Sequence, residues 1–121
     1  MAQKFYDLTI WKEGHALLME IYKVTAEFPK EEQYSLIDQI RRSANSVIAN
    51  IAEAHGRYYF ADKIRTLYNS RAEVEETQSH LRVALGLKYL TKKNFQILDK
   101  RYENLCKSIN NFINSLYQQK K

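Results

Sequence analysis

Residues 36–57 read LIDQIRRSANSVIANIAEAHGR. Ile37, Ile40, Ala44, Val47, Ile51 and Ala54 recur at steps of three and four, which puts them on one stripe of a helix and excludes the period-two alternation of a strand. Small residues sit beside that stripe. Ser43 and Ala44 allow a neighbouring helix to approach closely, while Asn45, Ser46 and Asn50 read as surface or interface groups. Glu53 and Arg57 stand four apart and suit a helical ion pair worth only about 0.2–0.5 kcal/mol. Gly56 is expected to end the helix, because glycine turns there without a Cβ penalty. The segment reads as a packing seam.

The same spacing recurs on both sides. Upstream, Ile10, Gly14, Leu17, Ile21, Val24 and Phe28 share a stripe. Downstream, Phe60, Ile64, Leu67, Arg71, Val74, Gln78, Leu81 and Leu85 form a third, and Phe95, Leu98, Tyr102, Leu105, Ile109, Phe112 and Leu116 the fourth. Pro29 stops the first helix, "KEEQYS" (30–35) supplies carboxylates near the second helix's amino end, and Thr91 is placed to cap the fourth. Three Gly and one Pro in 121 residues leave little turn chemistry for any β-rich fold. The expected fold is all-α: one up-down-up-down antiparallel four-helix bundle over residues 1–121, with helices near 8–28, 34–56, 60–88 and 92–118. Arg71 and Gln78 occupy seam positions. Arg71 is expected to snorkel or pair with Glu75, and Gln78 to fix register, the alternative being a buried network with Glu53 or Arg41, or a subunit contact.

Catalytic patterns are missing. A di-iron bundle needs a carboxylate three residues before each ligating histidine, and Lys12, Ala52 and Thr77 hold those places before His15, His55 and His80. Small helical ribonucleases place Arg about five residues before His; Ile10, Asn50 and Glu75 stand there instead. Cys106 is alone, which gives no zinc spacing and no internal disulfide and suits a reducing interior. Glu76 and His80 share a helix face, a spacing that more often serves solvated side chains than a metal. No glycine-rich loop offers a phosphate cradle. The reading is of no enzyme, no metal and no cofactor. With no signal-like or membrane-spanning apolar run, a cytoplasmic location is expected.

The formal charge of +5 is unevenly spread. Residues 57–71 carry four basic side chains against one acidic, and residues 88–101 five against one. Candidate phosphate contacts are therefore Lys88, Lys92, Lys93, Lys100 and Arg101 at one pole, with Arg57, Lys63 and Arg65 at the other. Tyr58 and Tyr59 beside Arg57 are placed to stack on unpaired bases. A merely solubilising surface is the competing reading of the lysines. Lys92 and Lys93 would oppose the dipole of the fourth helix, so local electrostatics does not explain them. The first helix also has a second stripe. Trp11, Leu18 and Tyr22, with Ile48 and Ala52 on the second helix, either widen the core or form a subunit interface, and the interface is the expectation.

In order along the chain stand Ile10–Trp11, Ile21–Tyr22, Phe28–Pro29, "QIRR" (39–42), "NIAE" (50–53), Gly56–Arg57 and Tyr89–Leu90. This pattern resembles the four-helix-bundle family of 23S rRNA intervening-sequence proteins of bacteria and, more distantly, the accessory protein of diversity-generating retroelements. Ile48 stands where members often have Pro, Ala54 where they have Gly, and Tyr58–Phe60 where Ser or Thr precedes the third helix. The resemblance implies a homo-oligomer, with a five-subunit ring as its expected form. It also implies RNA, a ribonucleoprotein or a reverse transcriptase as partner, and it brings no catalytic residues. The sequence thus predicts a non-enzymatic oligomeric scaffold binding RNA through basic patches, the alternative being a protein–protein adaptor that binds no nucleic acid.

Overall fold

The computed structural model describes residues 2–119 and contains four long helices, α1 (Thr9–Thr25), α2 (Leu36–Gly56), α3 (Phe60–Gly86) and α4 (Lys92–Gln119). Two 3₁₀ turns, Phe5–Asp7 and Lys30–Glu32, precede α1 and α2. No strand occurs among the described residues. Cross-helix bonds show how the helices run. Thr25 meets Arg41 while Gln3 meets His55, so α1 and α2 are antiparallel. Val47 meets Ser70 and Ser43 meets Thr77, and Gln78 meets Asp99 while Arg71 meets Asn110. Each rising number is matched by a falling one. The result is the up-down-up-down bundle that the periodicity predicts. No helix is long and apolar enough to cross a membrane among the described residues.

The α2–α3 seam is built from small and hydroxyl side chains. Ser43, Ser70 and Thr77 are fully buried. The Ser43 and Thr77 hydroxyls lie 2.8 Å apart, and the Ser70 hydroxyl donates to the Val47 carbonyl at 2.7 Å. Buried hydroxyls cost stability unless bonded, and these are. On the other side of α2, Gly14 lets α1 approach. A Cβ added there would lie 2.5 Å from Cγ2 of Ile48. Ile48 is β-branched and holds one rotamer in a helix, so that methyl cannot swing aside. Gly14→Ala is therefore expected to destabilise by about 1–3 kcal/mol despite the better helix propensity of alanine, read as a lower denaturant midpoint at unchanged m.

Helix ends differ from expectation in instructive ways. α1 stops at Thr25, three residues early, where the Thr25 hydroxyl donates back to the Ile21 carbonyl at 2.7 Å and the next amides make i→i−3 bonds. Arg41 then caps this end, donating to Thr25 Oγ1 at 2.9 Å and to the Tyr22 carbonyl. α2 starts at Leu36, whose amide donates to the Glu32 carboxylate, so the acidic segment acts from outside the helix. Thr91 caps α4 as read, accepting the Asn94 amide at 3.1 Å. The third helix has no side-chain cap at Tyr59. α2 ends at Gly56 as expected, but without a positive φ there; the left-handed residue is Lys88, at φ 65°. The Tyr89 and Lys88 amides bond to the Ala84 and Leu85 carbonyls, which makes a Schellman end with lysine where glycine is usual. Lys88→Gly is expected to stabilise by about 0.5–1 kcal/mol, the left-handed penalty of lysine less the extra chain entropy of glycine, measured by equilibrium unfolding.

Candidate nucleic-acid interface

The structure sorts the predicted basic residues into two groups. In the first, the charge is already used within the bundle. Arg57 pairs with Glu53 and Arg65 with Asp62. Arg101 crosses to α1 and pairs with Glu13 at 3.1 Å. Lys63 donates to the Ala54 and His55 carbonyls at 3.3 and 2.9 Å, capping the carboxyl end of α2. Arg57, Arg65 and Arg101 are thus paired with carboxylates, while Lys63 is held by carbonyls and has no carboxylate partner among the described residues.

The second group lies along α4 and its approach. Lys88, Lys92, Lys93 and Lys100 are exposed, and no carboxylate lies within ion-pair distance of them among the described residues. Lys107, exposed and equally unpaired, continues the row and was missed because its window carries little net charge. Lys93, Lys100 and Lys107 are spaced by seven, which puts them on one face about 10 Å apart per step. Two acidic residues lie within the row. Asp99 faces α3, where Arg82 holds both its oxygens at 2.8 and 3.1 Å and Gln78 donates at 3.2 Å. Glu103 accepts from Gln78 at 3.2 Å without ion-pairing to a lysine among the described residues. The charge of Asp99 is thereby neutralised away from the row, while that of Glu103 remains. The first turn of α4 contains no acidic residue, so Lys92 and Lys93 oppose the helix dipole at a cost of about 0.3–1 kcal/mol each.

At the opposite pole Tyr58 and Tyr59 are 86% and 67% exposed, edge-to-face at 4.9 Å, so they face solvent and do not pack the core. The expected interface residues divide as well. Leu18 and Ile48 are buried in the subunit's own core, which corrects their reading as contacts to another copy. Trp11 is half-buried, stacked on His15 and edge-on to Phe5, and Ala52 is half-buried. Tyr22 is exposed under the Arg41 guanidinium, 4.4 Å from its centroid.

Of the seam polar groups, Arg71 pairs with neither Glu75 nor Glu53, and Gln78 bonds across to α4. Arg71 donates to Asn110 at 2.7 Å and covers the Tyr68 ring, and Gln78 joins Asp99 and Glu103. Glu76 accepts from both Arg42 and His80. At Glu76 burial pushes the carboxyl pKa upward, but the His80 hydrogen bond and the Arg42 charge outweigh it and hold it low. Burial, and then the Glu76 charge, raises that of Glu73, whose Oε1 is buried without a partner among the described residues. A carboxyl raised in the folded state contributes stability at low pH that is lost as pH rises from the ordinary range through the folded value. Glu73→Gln should accordingly gain up to about 1 kcal/mol at pH 7, with the gain fading below pH 4.5, as paired unfolding curves at the two pH values would report. Burial also pushes the Cys106 thiol up, away from the reactive thiolate. Among the described residues no three His, Cys, Asp or Glu side chains cluster to hold a metal.

Comparison with known proteins agrees with this architecture. A crystal structure of a protein of unknown function from the S23 ribosomal protein family of Bacteroides thetaiotaomicron superposes with a TM-score of 0.78, covering 87% of this chain and 98% of that one at 23% identity. At that identity the likeness concerns the fold. No curated protein matches the sequence. The model of the 23S rRNA-intervening sequence protein family matches residues 6–111. On a match spanning nearly all four helices, the chain belongs to the 23S rRNA-intervening sequence protein family.

Proposed function

We propose that the protein is a non-enzymatic, homo-oligomeric helical scaffold that holds RNA, or a ribonucleoprotein such as one built around a reverse transcriptase, through the lysines of α4. The observation that carries this reading is the exposed row Lys93, Lys100 and Lys107, unpaired while nearby arginines are paired, and continued toward the α3–α4 connection by Lys88 and Lys92. Two of these lysines stand at a helix amino end that favours the opposite charge. A bound polyanion would offset that cost. Lysine ammonium groups contact phosphates as point charges and carry no base readout, so binding is expected to be general in sequence and strongly salt-dependent. Tyr58 and Tyr59 offer exposed π-faces at the other pole for unpaired bases. Copies around a symmetry axis would multiply each lysine row into a polyvalent surface.

Light scattering after size exclusion tests the assembly: a mass several times 14.4 kDa is expected, and a monomer at tens of micromolar would remove the multivalent reading. Fluorescence anisotropy with labelled single-stranded RNA and labelled polyglutamate separates partners. Preference for RNA at equal charge supports this proposal; equal binding of both polymers favours a protein adaptor with an acidic partner.

A further inference from the structure

A cavity of about 190 Å³ opens at the pole where α1 and α3 begin and α2 and α4 end. Its walls are apolar: Ile51, Ala54, Leu67, Phe112 and Leu116, with Leu8 at the α1 end. Protein interiors rarely keep voids larger than a water molecule. A dry apolar cavity of about 150 Å³ is enough to take up benzene, so this one is large enough for a small ring or a short acyl chain. Its wet edge has a definite polarity. Lys63 has three N–H donors, two of which go to the Ala54 and His55 carbonyls at 3.3 and 2.9 Å, leaving one at the rim. His55 beside it is bonded at Nε2 to the Gln3 carbonyl at 2.8 Å.

We infer that this cavity binds a small apolar carboxylic acid, with its hydrocarbon body among the walls and its carboxylate on the remaining Lys63 donor. The body is set by the lining. The head is set by Lys63, which can only donate, and a cationic or purely apolar ligand would leave that donor unanswered. The site is on the opposite pole from the α3–α4 connection and does not depend on RNA binding.

Titration of the full-length ¹⁵N-labelled protein with phenylacetate, toluene and phenethylamine tests it. Phenylacetate is expected to shift the amides of Ala54, Leu67 and Phe112 saturably. Toluene should act on the same amides about tenfold more weakly, the value of one charge-assisted hydrogen bond, and phenethylamine more weakly still. Ala54→Leu should fill the space and abolish all three responses. Leu116→Phe serves the same purpose should Ala54→Leu fail to fold by circular dichroism. Lys63→Met should bring phenylacetate down to the level of toluene. Any of three results overturns the inference: no saturable shift with phenylacetate at millimolar concentration, shifts confined to the α4 lysines, or undiminished binding in a folded cavity-filling variant.

Discussion

The triple variant Lys93→Glu, Lys100→Glu, Lys107→Glu is expected to bind a generic single-stranded RNA about 100-fold or more weakly than the parent at low salt. Each lysine removed takes away one phosphate contact, and each glutamate adds a repulsion. Because single strands release about 0.7 counterion per contact, the slope of log affinity against log salt should flatten by about 2. Stability supplies the control. Glutamate at position 93 suits the amino end of α4 and offsets the like-charge pairs that glutamates at 100 and 107 would make with Glu103, so the unfolding midpoint should stay close to that of the parent. Loss of binding in a protein about as stable as the parent cannot be ascribed to unfolding. Retained affinity would return these lysines to a solubilising role.

The largest stability effect is expected at Tyr102. Its side chain is fully buried in α4, and its hydroxyl has no hydrogen-bond partner among the described residues. Burial pushes the phenol well above its ordinary range, with the Arg101 charge a smaller opposing influence. Tyr102→Ala should cost about 3–5 kcal/mol, the transfer energy of the ring plus the cavity left behind. Tyr102→Phe keeps the ring and deletes the orphaned hydroxyl, so it should be neutral or stabilising by about 1 kcal/mol. The contrast separates packing from polarity. Denaturant unfolding of both variants reads it directly, and a Phe variant destabilised by more than 1 kcal/mol would mean that the hydroxyl has a partner after all.

The bundle was legible because its signal is repetitive. A seam such as Phe95, Leu98, Tyr102, Leu105, Ile109, Phe112 and Leu116 carries the same three–four spacing through six turns, and all of it is buried except Phe95 and Phe112, which are half-buried. Thr91 was legible for a local reason, since its hydroxyl needs only the amide three residues on. What periodicity does not encode is which neighbour a second stripe meets. Leu18 on α1 and Ile48 on α2 have the composition of an interface, but both turn inward, and position 14 has no side chain where Ile48 occupies the space. The basic residues were read by local density, whereas their availability depends on tertiary partners. Arg101 and Lys100 are adjacent in sequence, yet Arg101 reaches Glu13 on another helix and Lys100 reaches nothing acidic among the described residues. "QIRR" is explained in the same way: Arg41 caps α1 and Arg42 binds Glu76. Lys107 is visible in sequence only once its sevenfold relation to Lys93 and Lys100 is sought.

On the proposed reading this bundle acts through unpaired charge on its exterior. Anisotropy of a labelled, sequence-neutral single-stranded RNA, titrated with the wild-type protein from about 50 to 200 mM salt, measures it most directly. Tight binding is expected at the low end, with a straight log–log decline whose slope is about −2 or steeper, set by the three lysines of the α4 row. No binding at 50 mM, or an affinity indifferent to salt, would contradict it.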